Sequence, residues 1–374
     1  MNRRPNQSRS GYDSFSAQHT ARVRIQPLNE DFFARRRKRP LWQILLLACI
    51  CAAALFFIGN FAVNQMISVK RVTVPVRGLN EAFDGYTILQ ISDLKGARFG
   101  GEQGMFGFAL GGEEFDLIVM TGDMISPLGN AQPFYALLER LEELGRGVPV
   151  YYVAGDSDPL AVSMDYAAGG SPFAPWVLGA SQRGAQLLSC PVAIEREGQR
   201  IWLTTSAQLS LDMDTMQGQY EAQYLSALAS GDENEIELTE YNLKTLEGIR
   251  SARAQMSAQD AYIALTHVLP SAEDPGALTP AGISRPIDLM LGGHYLGGLL
   301  RLPGLGALFI PSKTLPNYGL LPEDVAYSGL NRRGATWLYA SSGLGSEDSM
   351  YPQWFFRLFN PPSVTLITLT PSAL

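Results

Sequence analysis

Histidine is scarce in this chain. Only three occur in 374 residues, and two of them, His267 and His294, each close a short apolar run. The runs are Ala261-Tyr-Ile-Ala-Leu-Thr-His267 and Ile287-Asp-Leu-Met-Leu-Gly-Gly-His294. Two more end in aspartate, Tyr86-Thr-Ile-Leu-Gln-Ile-Ser-Asp93 and Asp116-Leu-Ile-Val-Met-Thr-Gly-Asp123, and a fifth, Val148-Pro-Val-Tyr-Tyr-Val-Ala-Gly, leads into Asp156. Imidazole and carboxylate are the usual ligands of Zn, Mn and Fe. Buried strands that each deliver one such group at their C-terminal end assemble a metal site from distant sequence. Glycine before Asp123, Asp156 and His294 is expected to let the backbone turn sharply at the strand end. Any one of these aspartates alone reads as a turn or helix cap. The ordered set points to metal-assisted hydrolysis.

The elements that must position these residues follow from apolar patterning. Short apolar runs predict strands at 71–76, 86–91, 116–120, 149–153, 187–194, 201–205, 262–266, 287–291, 307–310, 336–340 and 364–369. Several are unbroken apolar runs, as expected of strands buried on both faces. Phe134, Leu137, Leu138 and Leu141 have helical spacing between two of these strands, a βαβ signal. The expected fold class is therefore a layered α/β domain over 70–374. Residues 213–260 are charged and rich in Glu, Gln, Ala and Tyr. They predict a helical insertion in two pieces, broken near Ser230-Gly-Asp-Glu, that serves either the site or only the surface.

Charge divides the chain. Residues 1–40 hold ten of the 29 Lys and Arg but three of the 36 Asp and Glu, which leaves 19 basic against 33 acidic residues beyond them. The acidic part has no footprint for nucleic acid. The polar, Arg-rich first 40 residues read as a disordered cytoplasmic tail. Residues 41–69 carry no charged side chain, so 41–66 are expected to form a single transmembrane helix. The run Arg35-Arg-Arg-Lys-Arg39 before it places the N-terminus in the cytoplasm and the domain outside. A cleaved signal peptide fits less well, because the preceding tail is long and no small-x-small site follows the apolar core. Cys49 and Cys51 fall in the apolar segment and only Cys190 in the domain, so no internal disulfide is expected there.

The motifs Ile91-Ser-Asp-Leu-Lys95, Thr121-Gly-Asp123, Gly155-Asp-Ser157, His267 and Gly293-His-Tyr-Leu-Gly-Gly298 occur in the order of the calcineurin-like metallophosphoesterases. The chain resembles their membrane-associated bacterial branch from about 70 to 370, with Leu300-Arg-Leu-Pro303 and Ser342-Gly-Leu-Gly345 adding to the likeness. The resemblance implies a β-sandwich flanked by helices and hydrolysis of a phosphate ester at a two-metal centre. The motifs are degenerate. One implied metal site would fall on Asp93, Lys95, Asp123 and Leu296, of which two are not ligands. The other would fall on Asp123, Asp156, His267 and His294, all of which can ligate. Ser157 stands where the family has the His thought to protonate the leaving group, and Ser126 where a carboxylate would support the ligands.

These substitutions imply one divalent ion (Mn, Zn or Fe) and no second, and two functions stand ahead of a third, a solely structural envelope protein with the acidic helical insertion as its interaction surface. The first is a membrane-anchored phosphoesterase with a mononuclear site, acting on a phosphorylated lipid or envelope component, with Arg98 either touching the phosphate or lying free on the surface. The second is a catalytically inactive relative that binds a ligand or protein in the cell envelope. Lys95 is expected to place its ammonium near the lost metal position and offset the repulsion between Asp93 and Asp123, or else to point to solvent. At about 4 Å, two such charges cost on the order of 4 kcal/mol at an effective dielectric near 20.

Overall fold

The computed structural model describes residues 40–372, apart from 127, 146, 168–169, 272–274, 284, 303, 311–318, 323–326 and 347–356. The expectation of a disordered tail over 1–40 thus falls almost wholly outside the described residues. Two compact units divide the chain, Met1–Ala54 and Leu55–Leu374. The first helix, α1 (Leu41–Asn64), runs across that division. It is long and apolar enough to cross a membrane, and it stops two residues before the expected end.

The strands follow in chain order: β1 (Ser68–Arg77), β2 (Thr87–Ile91), β3 (Leu117–Thr121), β4 (Val150–Val153), β5 (Ala185–Leu187), β6 (Val192–Arg196), β7 (Gln199–Thr204), β8 (Ala261–Leu265), β9 (Leu289–Gly292), β10 (Leu300–Leu302), β11 (Gly306–Phe309), β12 (Gly329–Arg333), β13 (Thr336–Ala340) and β14 (Ser363–Ser372). Two six-stranded sheets result, ordered β1-β14-β2-β3-β4-β5 and β12-β13-β9-β8-β7-β6, with β10 and β11 as a separate hairpin. In the first, β2, β3, β4 and β5 run parallel; in the second, β7, β8, β9 and β13 do.

Period-two alternation explains the unbroken apolar runs. Leu89, Ile91, Ile118 and Met120 pack against α2 (Gly104–Leu110), α3 (Gln132–Gly145) and, after the short α4 (Met164–Ala167), α5 (Pro175–Ser181). Their neighbours Ile88, Leu117 and Val119 share a second core with Ile201, Leu203, Ile263, Leu265, Leu289 and Leu291 of the other sheet. Ala264, Met290 and Leu338 turn to a third core with Leu209 of α6 (Ser206–Ser210). Each central strand is thus buried on both faces. In α3 the side chains with helical spacing, Phe134, Leu137, Leu138 and Leu141, are all buried, together with Pro133 at its first turn.

One expected strand is corrected. Residues 187–194 do not form a single strand: β5 ends at Leu187 in the first sheet, and β6 starts at Val192 in the second. Between them Leu188 N still reaches Tyr152 O, and the chain then crosses between sheets. The apolar pattern continues through the crossing because Leu188 before it and Val192 after it pack against the same core. The insertion forms the two expected helices, α7 (Met213–Ser230) and α8 (Glu233–Gln255). Asp212 and Asp232 cap their N-termini, and Gly231, at φ 71°, ends the first. Tyr241 of α8 docks on Phe173 and donates to Ser189 Oγ.

Candidate metal centre

The site lies where parallel strands of both sheets end. Asp93 follows β2, Asp123 follows β3 and Asp156 follows β4, while His267 follows β8 and His294 follows β9. Two hydrogen bonds tie the sheets together at this edge: Gln90 Nε2 donates to Gly292 O at 2.9 Å, and His267 Nδ1 to Thr121 O at 2.9 Å. A carbonyl only accepts, so His267 Nδ1 carries hydrogen and Nε2 faces the carboxylates.

The structure brings all five ligand-type residues together. His267 Nε2 is 2.6 Å from Asp156 Oδ1 and 3.3 Å from Asp123 Oδ2, and His294 Nδ1 is 3.5 Å from Asp156 Oδ1. Two overlapping clusters could hold an ion, Asp156–His267–His294 and Asp93–Asp123–His267. Ligands about 2.1 Å from a tetrahedral ion stand roughly 3.4 Å apart. The first cluster has that spacing, except for the shorter His267–Asp156 contact, which is a hydrogen bond that an ion would replace.

The second cluster differs. Lys95 Nζ lies 2.5 Å from Asp123 Oδ2 and 3.3 Å from Ser157 Oγ. Ser157 adds two hydrogen bonds to Asp123, from N at 2.8 Å and Oγ at 3.0 Å. Lys95 therefore points inward, not to solvent. Leu296 is fully buried and offers no donor atom. Asp93 Oδ2 accepts from Ser92 Oγ and His294 N, while its Oδ1 is buried with no hydrogen-bond partner.

Titration follows this arrangement. Hydrogen bonds from His267, then His294, hold the Asp156 carboxyl below the usual range. Burial pushes Asp123 up, but the His267 hydrogen bond and the Lys95 charge outweigh it and hold it low. Burial pushes Asp93 up, against the charges of His267 and Lys95. Burial disfavours the His267 imidazolium, yet hydrogen bonds to Asp123 and Asp156 push it up to about 11.

Backbone strain concentrates here. Ten non-glycine residues among the described ones have positive φ, and five are Asp93, Lys95, Asp123, His294 and Leu296. Such conformations cost about 1–3 kcal/mol each and persist where the surroundings impose them. The expected role of the glycines is corrected accordingly. Gly122 turns at φ 87°, but at Gly155 and Gly293 φ is not positive, and Asp123 and His294 themselves take the left-handed bend. Gly155 and Gly293 are needed for close approach: a Cβ would lie 2.2 Å from Asp123 Oδ1 at the first and 2.6 Å from Asp93 Oδ2 at the second.

Other expected positions have smaller parts. Ser126 Oγ accepts from Asn130 N in its own turn. Arg98 is exposed, as its surface reading expects. Two important residues were not singled out by sequence. Asp158 accepts backbone N–H groups from Asp123, Ile125 and Gly155 at 2.7–2.9 Å, which fixes the loops after β3 and β4; burial pushes its carboxyl up to about 6. Its position in Gly155-Asp-Ser-Asp158, three residues after the glycine, was the available signal. Arg357 is buried, and its guanidinium donates to carbonyls of Leu296, Ser342, Gly343, Gly345 and Asn360. It binds the loop after β9 to the loop after β13. That second loop in turn meets the first sheet through Gly345 N to Asp93 O and Leu344 N to Ser92 O.

No family model matches the chain, and no curated protein does. Among solved structures, the phosphopantetheinyl hydrolase PptH of Mycobacterium tuberculosis matches at 10% identity with a TM-score of 0.33, over 70% of this chain and 91% of that one. The protein TT1561 of Thermus thermophilus matches at 12% identity with a TM-score of 0.33, over 69% of this chain and 90% of that one. Neither likeness bears on what the residues do.

Proposed function

We propose that this chain is a membrane-anchored, calcineurin-like metallophosphoesterase that hydrolyses a phosphate ester at a site for one divalent ion, Mn, Zn or Fe. In this reading the two sheets form the family's sandwich, α1 crosses the membrane with its N-terminus in the cytoplasm, and the domain lies outside, facing a phosphorylated lipid or envelope ligand. The observation that carries the proposal is the convergence of Asp156, His267 and His294 donor atoms at 2.6–3.5 Å on parallel strand ends of both sheets.

Asp156 Oδ1, His267 Nε2 and His294 Nδ1 would hold the ion, with Asp123 Oδ2 facing it. The ion would polarise a phosphoryl oxygen and lower the pKa of a bound water. Thr121 O orients His267 by accepting from Nδ1, which leaves Nε2 for the ion. Lys95 supplies fixed positive charge beside the ion position, where an anionic phosphate would sit. Ser157 is a poor proton donor, so alkyl esters should turn over slowly. General acid help is worth about 10²–10⁴-fold.

A second reading, a non-catalytic binding module, is favoured by Lys95 on Asp123 and by the apolar Leu296. Metal content of the purified full-length chain separates them. One equivalent, lost in His294→Ala, together with Mn²⁺- or Zn²⁺-dependent cleavage of an aryl phosphate ester, supports the enzyme. Bound metal without cleavage, or neither, leaves the binding module.

A further inference from the structure

One strip of the domain combines exposed apolar side chains with cations that touch no carboxylate among the described residues. Its described segments pair with one another. Leu358 bridges Leu300, Arg301 N donates to Leu358 O at 3.1 Å, β10 pairs with β11, and Phe309 bridges Leu320. Along it Leu305, Leu320, Leu321 and Phe359 are 76, 56, 64 and 56% exposed. Four large apolar side chains on one paired strip differ from scattered surface leucines and mark an interaction surface.

The strip meets the end of α1. The rings of Phe56 and Phe359 are 6.0 Å apart, and Asn64 Nδ2 donates to Arg357 O at 2.9 Å. Phe56 precedes Asn64 by two turns, about 12 Å along the axis. A helix of 24 residues is about 36 Å long, against about 30 Å of hydrocarbon. If α1 spans a bilayer, Phe359 therefore lies below the level of its C-terminal end. Close by, Lys70 Nζ donates to Ser342 Oγ at 2.5 Å, Ser342 Oγ is 3.3 Å from Ser328 Oγ, and Arg301 donates to Ser328 Oγ at 3.2 Å and to Gly297 O. The Arg301 guanidinium also lies over the Tyr327 ring, 5.9 Å from its centroid, so the described partners of the two half-buried cations are hydroxyls, one carbonyl and one aromatic ring, and no carboxylate.

We propose that residues 300–302 and 304–309, with Leu320, Leu321 and Phe359, rest in the surface of a lipid bilayer, with Lys70 and Arg301 at the level of its headgroup phosphates. The occupant is the membrane because the strip is continuous with the apolar helix, and its cations match anionic phosphate. The proposal rests on the reading that α1 lies in a membrane, and it goes further: the domain is seated on the bilayer, not merely tethered to it.

The test uses the full-length chain with Cys49, Cys51 and Cys190 replaced by serine, in liposomes of phosphatidylcholine and phosphatidylglycerol that contain nitroxide-labelled lipid. Single cysteines at Ile50→Cys, Leu160→Cys, Leu305→Cys and Phe359→Cys carry an environment-sensitive fluorophore. The labels at 50, 305 and 359 should be quenched, and the label at 160, an exposed apolar site elsewhere, should not. Quenching at 50 without quenching at 305 and 359 keeps the helix in the membrane and overturns the proposal. No quenching at 50 overturns the membrane reading itself. Lys70→Gln and Arg301→Gln should each lower the enrichment of phosphatidylglycerol around the protein by about fivefold. Unchanged enrichment overturns the headgroup contact.

Discussion

Lys95 Nζ lies 2.5 Å from Asp123 Oδ2, and the two side chains are 4% and 1% exposed. This ammonium occupies ground beside Asp93 and Asp123 where two carboxylates would otherwise meet. Breaking such a buried pair by removing one partner costs about 3–5 kcal/mol, because the remaining charge is stranded. Lys95→Met should therefore lower unfolding stability by that order. The double variant Lys95→Met/Asp123→Asn should recover part of it. Chemical denaturation in detergent reads both. A single variant as stable as the parent would show that the ammonium does not offset the aspartates.

The same contact predicts how a second ion could be admitted. Lys95→His removes the ammonium and supplies a nitrogen, and Leu296→His replaces a fully buried side chain without a donor. Asp93 Oδ1, buried without a hydrogen-bond partner, would then have a cation to face. The double variant should raise metal content by one equivalent over the parent chain, as measured by elemental analysis of the purified protein. Unchanged content would mean that the lost positions are not those two.

Asp158 holds three backbone N–H groups of the loops that carry Asp123 and Asp156. Leaving a buried donor unsatisfied costs about 1–3 kcal/mol. Asp158→Ala should cost at least about 3 kcal/mol in thermal or chemical unfolding and should weaken metal retention. Asp158→Asn, with one remaining carbonyl oxygen, should lose less. Equal loss in both would place the effect in packing, not in the hydrogen bonds.

Much of this site was legible in the sequence because buried parallel strands write themselves as unbroken apolar runs, and ligand-type residues at their ends are few. His267 and His294 needed no structure to be found. What was hidden depends on the third dimension. The left-handed backbone at Lys95 and Leu296 has no sequence signature in bulky side chains. The break within 187–194 hides because Leu188 and Val192 pack in the same core from opposite sides of the crossing. Arg357 reads as one more arginine until the carbonyls around it are seen.

Those carbonyls make Arg357 irreplaceable by lysine. Its planar guanidinium reaches Leu296, Ser342, Gly343, Gly345 and Asn360 at once, whereas an ammonium has three donors on a single atom. Arg357→Lys should destabilise the domain by about 3 kcal/mol or more, since several buried carbonyls lose their donor. It should also loosen the loop bearing His294 and Leu296. Hydrogen exchange over 293–298 and 341–346 should rise in the variant. Unchanged protection there would refute the role of Arg357 as the tie between these loops.

Lys70 gives the clearest pH signature away from the candidate ligands. Burial, then the charges of Arg301 and Arg357, lower its ammonium to about 8 from 10.5. Below about 8 both folded and unfolded chains hold this proton, and the folded state bears the full cost of burying it. Between about 8 and 10.5 the unfolded chain binds more protons than the folded one, so stability rises with pH across that window. Above it the cost is gone. Lys70→Met should therefore raise the unfolding midpoint at about pH 7 in neutral detergent and should flatten the rise between about pH 8 and 10.5. A variant that keeps the parent's slope would show that the slope belongs to another group.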